Sequence, residues 1–302
     1  MNRSGAFDRV ALGATDVLVS RLGWGMWRFQ GDDLARARAL VDAALDAGIN
    51  LFDTADIYGF NGRDGFGDAE ILLGRLFAAD PGLRTKLVLA SKGGVVPGVP
   101  YDSSADYLVA ACEASLRRLG TDHLDLFQVH RPDVLTHPAE VARALETLVA
   151  SGKVRAVGVS NYTCPQVAAL VAHLQIPLAS IQPEFSPLVL EPLADGTLDL
   201  AMQHRISVLA WSPLAGGRLG EPGNDAPAQR VCAELDRQAQ RCGVSRAAAT
   251  YAWILAHPAG IIPIVGSQQP SRIREAATAY QVEWTRADWY RVLVASRGVA
   301  LP

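Results

Sequence analysis

Short apolar runs rich in β-forming residues recur along the chain, and each is followed by a longer segment with helical periodicity. The apolar stretches are nearly continuous, as expected for strands that are buried on both faces of a parallel sheet. This alternation restricts the chain to an α/β architecture with helices packed against the sheet. The runs lie at residues 50–55, 86–92, 124–130, 154–161, 179–186, 206–213 and 260–267.

An eighth strand is predicted at residues 21–26, and residues 10–20 before it predict a short N-terminal β-hairpin over the bottom of a barrel. Eight strand–helix units in about 250 residues are typical of a (β/α)8 TIM barrel. The sequence shows no linker, repeat or low-complexity tract, so we interpret residues 1–302 as a single domain. A doubly wound sheet is the structural alternative, but no G-x-G-x-x-G motif follows a predicted strand.

Charge and hydropathy exclude several classes of function. The 28 basic and 31 acidic residues give a net charge of -3, so neither nucleic acid nor an anionic membrane is expected as a partner. No apolar run approaches the ~18 residues of a membrane span, and the N-terminus lacks the apolar core of a signal peptide. We therefore predict a soluble cytoplasmic protein, and the sequence implies no obligate protein partner.

The cysteines and histidines show no spacing typical of metal ligands. No two cysteines form a C-x-x-C pair, so the sequence predicts neither a metal site nor a disulfide framework. The four cysteines are Cys112, Cys164, Cys232 and Cys242.

Polar side chains stand at the ends of several predicted strands. Asp53 closes the strand at 50–55 and Tyr58 follows it, while Lys92 and His130 end the next two strands. Because active sites of (β/α)8 barrels lie at the C-terminal edge of the strands, we expect these four side chains to meet at one barrel mouth. The later strand ends add Ser160, Asn161, Gln182, Trp211 and Ser212.

Each of the four side chains has a structural explanation when it is taken alone, such as a turn cap for Asp53. Their combination at one mouth favours a chemical explanation. A phenol with a pKa of about 10 becomes a stronger acid beside an ammonium group, so Lys92 is expected to activate Tyr58. Asp53 would keep Lys92 charged and oriented, and His130 would donate to a substrate oxygen. The set suits proton transfer at a carbonyl or alcohol oxygen.

The motifs that carry these residues resemble those of the aldo-keto reductases, and most closely the bacterial oxidoreductases whose second strand reads FD-x-ADIYG. The resemblance spans roughly residues 10–290, and it implies a nicotinamide cofactor that is bound in an extended pose without a Rossmann fold. The matching segments are DTADIYG (53–59), ASK (90–92), LFQVH (126–130), GKVRAVGVSN (152–161), Gln182 with Glu184, AWSPLAGGRL (210–219) and IPIVGS (262–267).

The resemblance also implies cofactor contacts around the nicotinamide. Trp211 would stack on the ring, while Met26 and Asp53 would approach the attached ribose. The carboxamide would be held by Ser160, Asn161 and Gln182.

The resemblance further implies contacts for the phosphates and the adenosine. Gly266 and Ser267 would bind the adenosine phosphate, Arg272 fits the arginine that binds a 2′-phosphate, and Glu275 fits the adenine contact. Many relatives have lysine where this chain has Gly266. We expect NADPH/NADP as the cofactor, with NADH as the alternative. The pyrophosphate would be wrapped by the segment that includes Ser212, Leu214, Gly216 and Arg218.

Two tryptophans, Trp24 and Trp27, end the first predicted barrel strand, and the resemblance places them with Tyr58 and His130 in the wall of a substrate pocket. The sequence therefore predicts an NADPH-dependent oxidoreductase that reduces an aldehyde or ketone to an alcohol by hydride transfer, with Tyr58 as the general acid. Two alternatives stay open. One is a dehydrogenase that oxidises a sugar or a secondary alcohol, and the other is a cofactor-binding sensor or scaffold with little turnover.

Overall fold

The computed structural model describes residues 8–302, and a closed barrel of eight parallel strands lies at its centre. The strands are β1 (Arg9–Ala11), β2 (Leu18–Ser20), β3 (Gly23–Gly25), β4 (Leu51–Asp53), β5 (Val88–Gly93), β6 (Leu124–Val129), β7 (Val154–Ser160), β8 (Leu178–Gln182), β9 (Ser207–Ala210) and β10 (Ile262–Val265). Around the barrel the order is β10-β3-β4-β5-β6-β7-β8-β9, so each strand pairs with its neighbour in sequence and β10 closes the ring on β3. The predicted (β/α)8 barrel is confirmed.

Helices alternate with the strands and form the outer layer. None of the helices within residues 8–302 combines the length and the apolar character that a membrane crossing requires. The helices are α1 (Leu34–Asp46), α2 (Asp68–Ala79), α3 (Ala105–Leu119), α4 (Pro138–Ala150), α5 (Cys164–Val171), α6 (Thr197–His204), α7 (Ala226–Cys242), α8 (Arg246–Leu255), α9 (Pro270–Ala276) and α10 (Arg286–Arg297).

The predicted N-terminal hairpin is also present, and it closes the bottom of the barrel. Strands β1 and β2 pair antiparallel, with Arg9 opposite Ser20. The backbone N–H of Gly13 in the connecting turn donates to Ser207 Oγ at 2.8 Å, at the start of β9. Leu12 and Val19 pack into the lower lumen with residues from seven barrel strands, so the hairpin covers the bottom and leaves the C-terminal mouth for a ligand.

A second and larger core lies between the barrel and the helices. On α3, for example, Leu108, Cys112 and Leu119 share one face and are fully buried against the sheet. All four cysteines are free thiols in helices, and no cluster of His, Cys, Asp or Glu in residues 8–302 is placed to hold a metal ion.

Gly74 allows α2 and α3 to pack closely. A Cβ atom at this position would overlap the carbonyl oxygen of Arg118 and would lie 3.0 Å from the carbonyl carbon of Leu119. Both atoms belong to the backbone at the end of α3, so rotation of a side chain would not relieve the contact.

We predict that Gly74→Ala lowers the free energy of unfolding by about 1–3 kcal/mol, although alanine favours an isolated helix by about 1 kcal/mol. Urea unfolding followed by circular dichroism measures the change. Gly82→Ala is the control, since a Cβ there meets only Asp80 Oδ1 at an ordinary 3.4 Å. Equal stability of Gly74→Ala and the parent chain would contradict the close approach of the two helices.

Candidate active site

The ammonium group of Lys92, at the C-terminal end of β5, is the centre of the barrel mouth. It is fully buried and donates to Asp53 Oδ2 at 2.6 Å, to the carbonyl oxygen of Thr54 at 2.9 Å and to Tyr58 Oη at 3.0 Å. An ammonium group has three N–H donors, so these bonds saturate it. The Tyr58 oxygen accepts one of them, which leaves its own O–H available to donate elsewhere.

The register of two neighbouring strands produces this arrangement. Asp53 lies beside Ala90 where β4 and β5 pair in parallel, and Lys92 follows two residues later on the same face. The second oxygen of Asp53 accepts from Gln182 Nε2 at 2.9 Å and from Gln128 Nε2 at 3.3 Å. Asp53 is almost fully buried and bonded through both oxygens, so its position favours holding Lys92 over the predicted ribose contact.

His130 completes the group of four. Its backbone N–H donates to the carbonyl oxygen of Gly93 at 2.9 Å, and its ring lies edge-on to Tyr58 with 5.8 Å between centroids. On the other side of Tyr58 the exposed ring of Trp27 stands edge-on at 5.3 Å. The structure therefore brings together the four predicted catalytic side chains, with Trp27 at their rim.

Burial keeps the side chains of Tyr58 and His130 neutral. It raises the pKa of Tyr58 above its ordinary value, and although Lys92 acts in the opposite direction, its effect is smaller. Lys92 thus acts in the predicted direction on the pKa of Tyr58, but burial, which the sequence did not reveal, outweighs it. Burial, together with the positive charges of Lys92 and Arg131, holds the pKa of His130 well below its usual range.

The pKa of Lys92 itself is raised. Burial alone would lower it, but the charge of Asp53 and the contact with Tyr58 outweigh burial. Lys92 therefore remains an ammonium group beside a neutral phenol.

Four of the predicted cofactor residues form one hydrogen-bonded chain. Trp211 Nε1 donates to Asn161 Oδ1 at 3.0 Å, and Asn161 Nδ2 donates to Ser160 Oγ at 2.7 Å. Ser160 Oγ in turn donates to the carbonyl oxygen of Gln182 at 2.9 Å. Because the Gln182 side chain donates to Asp53, this chain of bonds is continuous with the Lys92 group.

The backbone of the predicted pyrophosphate segment leaves open space for a ligand. Ser212, Gly216 and Gly217 have φ values of +53°, +67° and +101°. A Cβ atom at Gly216, Gly217 or Gly266 would meet nothing within 4 Å, so an anionic group can approach these backbones closely. Positive φ at a serine stores strain, which is typical of ligand-binding loops.

Two further residues of the predicted pyrophosphate segment already form contacts within the protein. The carbonyl oxygen of Leu214 accepts from the backbone of Gly217 at 3.0 Å. Arg218, predicted to contribute charge to the pyrophosphate, forms an ion pair with Asp225 at 2.5 Å and so ties the loop to the start of α7.

Two predicted contact residues at the end of β3 have fully buried side chains. Trp24 lies edge-on to Phe29 and Phe52, and donates through Nε1 to the carbonyl oxygen of Ser267 at 3.1 Å. Its contacts are therefore those of a core residue, and its place in the substrate pocket stays a prediction. The Met26 side chain is also fully buried, and its contact with the ribose stays a prediction as well.

The predicted adenosine contacts lie at the far edge of the mouth, on and before α9. Arg272 is exposed and, within residues 8–302, makes no ion pair, while Glu275 is half-buried on the next helical turn. Ser267 Oγ accepts from the backbone of Gln269 at 3.2 Å.

The sequence did not point to two charged residues that lie beside the group formed by Asp53, Tyr58, Lys92 and His130. Arg131 follows His130 and holds its guanidinium carbon 5.9 Å from the centroid of the Trp211 ring. Asp56 is fully buried behind Lys92, and within residues 8–302 neither of its carboxyl oxygens has a hydrogen-bond partner. Asp56 lies within the matched DTADIYG segment and Arg131 directly follows the matched LFQVH segment, so their positions beside Tyr58 and His130 in the sequence were the signal available.

A model of the Aldo/keto reductase family matches residues 21–293. The chain belongs to the aldo/keto reductase family.

Curated relatives match over nearly the whole chain. A 6-dehydroglucose reductase from Novosphingobium aromaticivorans is 56% identical over 293 residues, which cover 96% of each chain. A second 6-dehydroglucose reductase, from Agrobacterium fabrum, is 39% identical and covers 96% of this chain and 98% of its own. Among solved structures, the glycerol dehydrogenase of Gluconobacter oxydans superposes with a TM-score of 0.85 at 29% identity and covers 98% of both chains.

These matches give the chain its activity class, which is NAD(P)H-dependent reduction of a carbonyl group. They do not favour the alternatives of an oxidising dehydrogenase or a sensor with little turnover. The open glycine backbones, the strained Ser212 and the polar chain from Trp211 to Gln182 fit a nicotinamide nucleotide laid across the mouth.

Asp56 makes the stability of the barrel depend on pH. Burial raises its pKa well above the ordinary value, and Glu70 adds to this, whereas Arg118 and Lys92 oppose it. Glu70 does not bond to Asp56; it accepts from Ser91 Oγ at 2.5 Å and from Arg118 Nε at 2.7 Å. The folded protein therefore keeps the Asp56 proton to higher pH than the unfolded chain does.

We predict that Asp56→Asn stabilises the fold at neutral pH by about 1–3 kcal/mol, because the amide does not ionise and so avoids the cost of a buried charge or of proton uptake on folding. The gain should be smallest at the acidic end, where the unfolded chain still holds much of the Asp56 proton, and should grow as pH rises toward the folded pKa. Unfolding midpoints between pH 4 and pH 8 measure it. The exposed Asp32→Asn is the control, and a gain independent of pH would contradict the assignment.

Proposed function

We propose that this chain is an NADPH-dependent reductase of a sugar aldehyde of the 6-dehydroglucose type. The contact between Lys92 Nζ and Tyr58 Oη carries the proposal, because it leaves a neutral phenol with a free proton at the mouth. The substrate class is supported by the 56% identical relative that bears the name 6-dehydroglucose reductase.

In this mechanism Tyr58 is the general acid. Its O–H donates to the substrate carbonyl oxygen and transfers the proton to that oxygen as the carbonyl carbon is reduced, so the product is an alcohol. The nicotinamide nucleotide, when bound, supplies the hydride. Lys92 stays charged and stabilises the phenolate that the transfer leaves behind, while Asp53 holds Lys92 in place.

His130 orients the carbonyl. Its depressed pKa keeps the ring neutral near pH 7, so one ring nitrogen carries a proton that it can donate to the carbonyl oxygen. A buried ring nitrogen, Nδ1, has no partner within residues 8–302, which is consistent with a ring whose hydrogen bonds await a ligand.

Ser160, Asn161, Gln182 and Trp211 are the residues that would bind the nicotinamide end, and the loop from Ser212 would bind the pyrophosphate. NADPH is the preferred cofactor because Arg272 has no carboxylate partner among the described residues. The next arginine on the helix, Arg274, is by contrast paired with Asp46 at 3.0 Å. An unpaired guanidinium can bind a 2′-phosphate through two parallel hydrogen bonds.

We predict that Tyr58→Phe lowers kcat for aldehyde reduction by about 10²–10⁴-fold, the usual size of a general-acid contribution. Affinity for NADPH, measured by quenching of tryptophan fluorescence, should be little changed because the phenol ring is kept. Tyr290→Phe, a change on the exposed face of α10, is the control. Turnover retained by Tyr58→Phe would remove Tyr58 from the acid role.

We predict that Arg272→Gln lowers kcat/KM for NADPH by about 10–100-fold and leaves NADH almost unaffected, as expected for the loss of a charged hydrogen-bond pair. Arg274→Gln is the matched control, since it removes the same charge from the same helix. Equal losses with the two nucleotides would exclude Arg272 as the 2′-phosphate ligand.

A further inference from the structure

Arg131 lies among the ends of three barrel strands. It follows His130 after β6, and its guanidinium carbon is 5.9 Å from the centroid of Trp211, which follows β9. Its charge lowers the pKa of both Tyr58 and His130, and it also lowers the pKa of Glu184 just after β8. The guanidinium therefore faces the same space as the proposed acid.

This guanidinium has no acceptor of its own. Arg131 is half-buried, and within residues 8–302 no carboxylate lies at ion-pair distance and no hydrogen bond satisfies its five N–H donors. The nearest acid in sequence, Asp133, is already bonded to the backbone of Ser103 and Leu135 and to the hydroxyl of Thr136. A half-buried donor group without an acceptor favours a ligand that brings oxygen atoms to it.

The charges around Arg131 indicate which kind of ligand oxygen atom it binds. Glu184 is half-buried just after β8, where burial and Glu191 raise its pKa, while a hydrogen bond from Ser212 and the charges of Arg131 and Arg218 lower it. A substrate hydroxyl accepts from a guanidinium and donates to a carboxylate, so a hydroxylated chain satisfies both residues. A carboxylate or phosphate would gain from Arg131 but would be repelled by Glu184.

We propose that Arg131 is a specificity-determining residue, which donates to the hydroxyl oxygens of a neutral polyhydroxylated aldehyde while Tyr58 and His130 hold the carbonyl oxygen. This inference rests on the proposed carbonyl reduction and adds to it the residue that distinguishes a sugar aldehyde from an apolar one. A site that bonds to substrate hydroxyls rejects an analogue without them, because its polar groups are then left unpaired.

The test compares three six-carbon aldehydes in steady-state reduction with NADPH: 6-dehydroglucose, the apolar hexanal and the anionic D-glucuronate. Arg131→Leu is expected to lower kcat/KM for 6-dehydroglucose by about 10–100-fold and to change that for hexanal less than threefold. Arg131→Lys, which keeps the charge but not the planar donor array, should fall between Arg131→Leu and the parent chain. Arg143→Leu on the exposed surface of α4 is the matched control and should change neither substrate.

Several results would overturn the proposal. Equal losses for 6-dehydroglucose and hexanal would mean that Arg131 acts through Tyr58 or the cofactor, and no loss for either would exclude a role. A larger loss for D-glucuronate than for 6-dehydroglucose would make Arg131 an anion ligand instead. If Arg131→Leu unfolds at a lower urea concentration, Arg131→Lys carries the comparison alone. A parent chain that reduces none of the three aldehydes would refute the proposed function itself, and the inference with it.

Discussion

A single buried ammonium group organises the mouth of this barrel. Lys92 has no exposed surface, so its charge is tolerated only because all three of its N–H groups donate hydrogen bonds. The acceptors are Asp53, the carbonyl oxygen of Thr54 and Tyr58. Removing one partner of such a buried pair typically costs about 3–5 kcal/mol, since the other charge is left without compensation. The residues proposed to perform the chemistry are therefore also residues that the fold requires, so stability and the proposed function depend on the same geometry at this site.

The hydrogen-bond network that holds Lys92 extends outward from Asp53. Its second oxygen is held by Gln128 and Gln182, and Gln182 connects through Ser160 and Asn161 to Trp211. Bonds thus run across β4, β5, β6, β7, β8 and the end of β9, so most of the barrel circumference contributes to one network. Such a network leaves the Tyr58 oxygen little freedom, which is what proton transfer at a fixed carbonyl position requires.

Much of this was predictable from the sequence, for a physical reason. Parallel strands end at one edge, so Asp53, Lys92 and His130 at successive strand ends had to meet. Trp24 and Met26 show where this reasoning stops. Trp24 lies in a strand of three residues and Met26 directly follows it, and the sequence of so short a segment does not reveal that both side chains are fully buried in the core. Arg131 and Asp56 were missed because their environments are set by Trp211, Glu184 and Glu70, which are distant in sequence.

The net pKa shifts bear on the direction of the reaction. In the proposed mechanism, reduction needs a protonated Tyr58 at the start, whereas oxidation of an alcohol would need a phenolate. Lys92 and Arg131 favour the phenolate, but burial outweighs both, so the resting group is the phenol. In the proposed mechanism, negative charge develops on the tyrosine oxygen during reduction, and the Lys92 ammonium group, 3.0 Å away, stabilises it. The ammonium charge does not ionise Tyr58 in the resting site but stabilises the phenolate once the proton has moved to the carbonyl oxygen, and a resting phenol is the form that the reductive direction needs.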